Sequence, residues 1–190
     1  MLNKFRLIVC LLCAVTLSGC AASQPKTPSF RLYIMHEAWE DLKNKYEYAE
    51  VWSIIKELDL IDNIADISET DIEEYNWSTQ EMILTTSASK RLNSTISEAD
   101  WFQIRVLKSI FIVTIDGQPL YGGVFIEKAS QAGIDFPVIY PDTEHAQIVF
   151  QIRPLNNCCI PYQDLDHSKR KLIEYPEIYD LFNELGKIVK

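Results

Sequence analysis

The chain has 190 residues, which is enough for one ordinary domain with a sizeable core. An apolar share of 47%, with four Trp, nine Tyr and eight Phe, argues against intrinsic disorder. The net charge of −9 leaves no surplus of Lys and Arg to neutralise phosphates, which argues against nucleic acid as a partner.

The first predicted element is a secretory signal peptide. Lys4 and Arg6 precede an apolar stretch that runs from Leu7 to Leu17. Eleven helical residues rise about 16 Å in total, well short of the ~30 Å hydrocarbon core of a bilayer. We therefore expect the core of a signal peptide over residues 1–19, and not a transmembrane anchor.

The residues that end this segment carry a sharper pattern. Leu17, Ser18 and Gly19 precede Cys20, and Ala21 follows it. This string resembles the lipobox of bacterial lipoproteins, and the resemblance covers residues 1–23. It implies cleavage before Cys20, a diacylglyceryl group on its thiol, acylation of the new amine, and, with Ala21 next, outer-membrane sorting in a Gram-negative host. An ordinary secretory signal with a chance cysteine is the alternative.

Residues 20–29 are predicted to be a lipidated tether, because Ala21 to Ser29 is polar and contains two prolines. Nine residues reach at most about 30 Å, so the domain would stay beside its membrane. Without residues 1–19 the chain keeps 16 Lys and Arg against 27 Asp and Glu, a net charge of −11. With Cys20 lipidated, the cysteines that remain are adjacent and form no long-range disulfide framework.

Residues 30–190 are predicted to form a single α+β domain, with a mainly antiparallel sheet in the C-terminal half and helices at both ends. The hydrophobic spacing of Ile61, Ile64 and Ile67 suggests a further helical turn, and residues 116–119 suggest a four-residue hairpin loop. Strands are predicted at 30–35, 80–85, 110–115, 120–126, 136–140 and 147–153, and helices at 37–58 (with a break near 44–47), at 87–92 and from 176 onward.

A second resemblance is local. Residues 82–86, a short helix over 88–92 and the strand and turn of 111–120 resemble the periplasmic head of the SecD protein-translocase subunit. The resemblance covers under a quarter of the chain. It implies a shared local fold and no activity.

Cys158 and Cys159 are the candidate redox pair. Adjacent thiols in an oxidising compartment can close a vicinal disulfide, stay free, or pair between molecules, and two thiolates suit soft metals. Two small, partly buried hydrophobic residues without a function are the favoured alternative.

Other features point more weakly to function. His145 and His167 lie in acidic segments, which we interpret as surface loops in preference to a metal site, so no catalytic residue, metal or cofactor is assigned. The run from Glu57 to Glu74 has eight acids and no base, and it either docks a cationic protein or peptide or forms a solvated face. Gly122 and Gly123 indicate either a close approach by a ligand or a peptide backbone, or a β-bulge.

Two functions therefore remain open. The favoured one is a lipid-anchored protein of the bacterial cell envelope whose domain is a non-catalytic binding or accessory module. The alternative is a small envelope enzyme, either a hydrolase or a thiol-redox protein that uses Cys158 and Cys159.

Overall fold

The computed structural model describes residues 28–43, 48–130, 132–156, 160 and 162–189, and the side chains of all of these except 43 and 48–52. The strands are β1 Phe30–Ala38, β2 Asn63–Ser68, β3 Ile72–Asn76, β4 Glu81–Leu84, β5 Ser109–Ile115, β6 Gln118–Phe125, β7 Val138–Asp142, β8 Val149–Arg153 and β9 Ile188–Val189. The helices are α1 Trp39–Lys43, α2 Tyr48–Glu57, α3 Thr86–Thr95, α4 Glu98–Val106, α5 His167–Arg170 and α6 Pro176–Glu184, with 3-10 helices at Glu69–Asp71 and Tyr162–Asp164.

The strands form one curled, mixed sheet in the order β2-β1-β5-β6-β7-β8-β4-β3-β9. The α+β class is therefore correct, but three finer predictions are wrong. The sheet is mixed, because β6 pairs with β7 and β3 with β9 in parallel. Four strands precede residue 85, so the sheet is not confined to the C-terminal half. The helices are not grouped at the two ends, since β1 opens the described fold and β9 closes it.

The curl of the sheet encloses the main core. Phe182 of α6 contacts Phe30 of β1 at 5.2 Å and Tyr75 of β3 at 5.4 Å between ring centroids. Because β1 and β3 are far apart in the strand order, these contacts require the sheet to fold back on itself. Helices α3 and α4 add Leu92 and Trp101 to the same cluster.

The other face of the sheet carries a smaller core. Met35 of β1 and Ile112 of β5 point to it, because side chains alternate between the two faces of a strand. Leu42 of α1 and Ile55 of α2 cover this face. Helical structure at 39–43 and 48–57 confirms most of the helix predicted there, and the predicted break lies outside the described residues.

The segment around Ile64 corrects the prediction of a further helical turn. It forms strand β2, which pairs antiparallel with β1 and has an irregularity where Ile34 and Met35 face Ala65 and Asn63. Pairing with β1 outweighs the helical preference that the spacing of three indicated. Such pairing joins distant parts of the chain, so the periodicity of one short segment cannot predict it.

The β5–β6 hairpin is tighter than predicted. Its turn consists of Asp116 and Gly117, both with positive φ, which is the backbone that two-residue hairpin turns require. Pro119 lies inside β6, where the register shifts between Val113 and Thr114. β7 pairs with β6 only at Val124 and Phe125, so the missing N–H of Pro119 interrupts no ladder on that side.

Candidate functional site

A polar cleft of about 290 Å³ opens beside the ends of β7 and β8. It combines four carboxylates with two cations and a tyrosine, and its mouth is wide. The lining residues that carry this chemistry are Glu81, Arg105, Glu127, Lys128, Tyr140, Asp142 and Glu144. Neither His145 nor a serine is among the described residues that line it.

Most carboxylates of this cleft are already bound by neighbours. Glu127 Oε2 lies 2.8 Å from Arg105 Nε, and Glu81 accepts a hydrogen bond of 2.8 Å from Gln151. Burial acts to raise the pKa of Asp142, but hydrogen bonds from His145 and from the Glu144 backbone N–H outweigh it, so its pKa lies below the usual value. A carboxyl group with a lowered pKa is ionised at neutral pH and is poorly suited to act as a general acid.

A second cavity, also of about 290 Å³, is a groove between α4 and the β1–β2 part of the sheet. Its walls are mostly apolar, and His36, Asp100 and Gln103 supply polar groups. The apolar lining consists of Ile64, Ile96, Ile104 and Leu107.

Helix α4 presents an apolar outer face next to this groove. Phe102, Val106 and Leu107 are 56%, 48% and 46% exposed, although the same helix buries Trp101 and Ile104 in the core. Ser97 caps its start in a capping box with Asp100, which fixes the helix in place. Exposed apolar side chains grouped on a well-anchored helix are typical of interaction surfaces.

The three histidines lie at three different places in the structure. His36 lines the groove beside α4. The His145 side chain is 73% exposed and bonds Asp142 at 3.1 Å, and His167 is exposed at the start of α5. Among the described residues, no three His, Cys, Asp or Glu side chains gather in a way that would hold a metal ion.

The acidic run from Glu57 to Glu74 does not form one free acidic face. Asp66 pairs with Arg31, Asp71 pairs with Arg91, and Glu69 accepts the N–H of Phe30. These acids therefore tie β1, α3 and the 3-10 helix Glu69–Asp71 together. Docking of a cationic partner by this run stays a prediction, and it would involve the acids that are exposed, which are Glu57, Asp59, Asp62, Glu73 and Glu74.

Gly123 is explained by the approach of the chain's own backbone. A Cβ atom at this position would lie 1.8 Å from the carbonyl oxygen of Pro137, just before β7. The close approach that the sequence suggested is made here by a neighbouring strand, and not by a ligand.

Cys20, Cys158 and Cys159 lie outside the described residues, as do the predicted signal peptide and most of the predicted tether. The lipid-attachment and redox hypotheses stay predictions. In the described part of the chain, no helix combines the length and the apolar character needed to cross a bilayer.

Comparison with known protein families, with curated proteins and with solved structures found no match for this chain. The candidate site therefore depends on the geometry described above.

Helix α4 and its exposed face are not among the elements predicted from the sequence. A signal was present, because Ser97 followed three residues later by Asp100 is typical of a helix start. Helix α4 is apolar on two sides, with Trp101 and Ile104 on one and Phe102 and Val106 on the other. It therefore shows little of the hydrophobic periodicity that marks a helix with one apolar face.

Proposed function

We propose that this chain is a membrane-anchored lipoprotein of the bacterial cell envelope, and that its folded domain is a non-catalytic binding or accessory module facing the periplasm or the cell surface. The lipobox around Cys20 supports the anchor. Two or three acyl chains bind a bilayer stably, whereas one is marginal. In a Gram-negative host, Ala21 favours the outer membrane.

The start of the fold agrees with a short tether. The backbone N–H of Ser29 donates to Asp116 at 3.1 Å, and the N–H of Asp116 donates to the Ser29 carbonyl at 2.8 Å. These bonds fix the first described residues to the β5–β6 turn. A lipid on Cys20 would therefore hold this end of the domain within about 30 Å of the bilayer.

The apolar outer face of α4 is the observation that carries the binding role. Exposure of Phe102, Val106 and Leu107 costs solubility and is not needed to hold α4 in place, since Trp101 and Ile104 already do so. The polar cleft supports the same role, because neighbouring side chains hold Glu81 and Glu127, and the lowered pKa of Asp142 makes this carboxyl a poor proton donor. The partner that we propose is a cationic protein or peptide, and not nucleic acid.

Fatty-acid labelling tests the anchor. Cells that express the full chain are fed a palmitate analogue, and incorporation is compared for the wild type, Cys20→Ser and Cys13→Ser. We expect Cys20→Ser to lose the label and Cys13→Ser, altered in the segment that is removed, to keep it. Absence of label from the wild type, or label that persists in Cys20→Ser, would overturn the anchor.

A further inference from the structure

We propose that the outer face of α4 and the groove beside it form the docking site for a basic amphipathic helix of a partner protein. This inference deepens the binding role proposed above and rests on it. It moves the expected contact from the acidic run of residues 57–74 to a different part of the molecule.

The apolar side chains on α4 have the spacing that a second helix needs. Phe102 and Val106 are four residues apart and so lie one above the other on the helix surface, with Leu107 beside them. Rows of this kind are the ridges that pack into the grooves of a neighbouring helix. The three residues therefore offer a seam for a helical partner.

The groove extends this seam into the domain. Leu107 lines it together with Ile64, Ile96 and Ile104, and its volume of about 290 Å³ has room for a large apolar side chain of the partner. Apolar anchors that enter a pocket near the centre of an interface carry most of the binding energy in protein complexes.

The charges around this face favour a basic partner. Glu98 and Asp100 lie in the first turn of α4, and Asp100 also lines the groove. The two cations near the end of the helix are neutralised within the domain, because Arg105 pairs with Glu127 and Lys108 with Glu40. Lysine and arginine flanking the apolar residues of the partner would complement this field, whereas a second copy of this acidic chain would be repelled.

The position of the face favours a protein over a lipid bilayer. Ala38 at the end of β1 pairs with Ser109, two residues after Leu107, whereas Phe30 at the start of β1 pairs with Ile115 beside the tether. Their partners on β5 are six residues apart, so the two ends of the paired region are about 20 Å apart. The tethered end and the α4 face therefore lie at opposite ends of β1.

Binding of a designed peptide tests the proposal. The probe is a fluorescent amphipathic helix of leucine and lysine of about 18 residues, or five turns, and its counterpart has glutamate in place of lysine. Each peptide is titrated, with fluorescence anisotropy as the readout, against the full mature chain in phosphatidylcholine nanodiscs, and binding to empty nanodiscs is subtracted. We expect the lysine peptide to bind, more weakly as salt is added, and the glutamate peptide not to bind.

Surface variants locate the contact. Phe102→Ser and Val106→Ser should each weaken binding of the lysine peptide by at least about tenfold. Leu172→Ser is the matched control, because Leu172 is 38% exposed at a different place, and it should leave the affinity unchanged. Unchanged thermal unfolding of all three variants would show that the fold is intact.

Several results would overturn the proposal. These are equal binding of the glutamate peptide, unchanged affinity of Phe102→Ser and Val106→Ser, binding no stronger than to empty nanodiscs, or a dimer in sedimentation that Phe102→Ser dissociates. The fatty-acid label on Cys20 tests the anchor separately. Labelled protein that gives any of these results overturns the docking site alone, whereas protein without label overturns the anchor.

Discussion

Gly123 lies where the backbone before β7 comes closest to β6. A Cβ atom there would lie 1.8 Å from Pro137 O and 2.9 Å from Phe111 Cε1. The nearer atom belongs to the backbone, so it cannot move aside as the end of a flexible side chain can. We expect Gly123→Ala to lower the free energy of unfolding by about 3 kcal/mol or more. Gly133→Ala is the control, with no atom within 4 Å of the added carbon, and should change stability by less than about 0.5 kcal/mol. Equal effects in urea unfolding would contradict the close approach.

We expect the carboxyl group of Asp71 to make the stability of the fold depend on pH. Burial acts to raise its pKa, but hydrogen bonds from Arg91, at 3.0 Å to each carboxylate oxygen, and from Ser68 outweigh burial, so the pKa lies below its usual value. A group with a lowered pKa stabilises the fold above its unfolded pKa of about 3.9, and that contribution is lost as the pH falls through the folded value.

Asp71→Asn tests this dependence. At pH 7 the variant should unfold more easily by about 1–3 kcal/mol, because a charged partner of Arg91 and Ser68 is lost. The difference from the wild type should shrink below about pH 4, where Asp71 becomes protonated in the unfolded chain. Asp62→Asn, at an exposed carboxylate, is the control. A difference that stays constant with pH would show that the ionised Asp71 is not the stabilising group.

At the scale of elements, Lys187 joins the end of the chain to the 3-10 helix Glu69–Asp71. Its ammonium donates to the carbonyl oxygen of Glu69 at 2.7 Å and to that of Ile72. Lys187 directly precedes β9, the strand that pairs with β3. Lys187→Met keeps much of the aliphatic stem and removes both hydrogen bonds. We therefore expect it to lower the free energy of unfolding by about 1.5–3 kcal/mol.

Hydrogen exchange is the sharper readout for Lys187→Met. The amides of Tyr75 and Trp77, which donate to Lys187 O and Val189 O, should exchange faster in the variant than in the wild type. Lys169→Met, at an exposed lysine of α5, should leave both rates unchanged. Protection that survives Lys187→Met would show that β9 is held by other contacts.

Some elements were predictable because their signals are local. The apolar run at Ile110 to Ile115 forms β5, and Pro176 opens α6 at its first turn. Strand β2 was not predictable in this way, since its pairing with β1 is a contact between distant parts of the chain. A two-residue strand such as β9 is too short to produce any periodic pattern.

For the molecule as a whole, the sequence predicts the α+β class but not the curl of the sheet. The curl depends on contacts such as Phe30 with Phe182, which join the two ends of the described fold. The α4 groove depends on the same wrapping, because its walls come from β1, β2, α4 and the end of α3. Part of the candidate site could be predicted from the cap at Ser97, whereas its position relative to the start of the described fold required the strand register.

We propose that acyl chains on Cys20 hold this domain at a membrane. Intact-mass measurement of the mature protein from the envelope tests it most directly. We expect a polypeptide that begins at Cys20 and carries the added mass of a diacylglyceryl group and an amide-linked acyl chain. A chain that starts at any other residue, or one whose Cys20 carries no lipid, would contradict it.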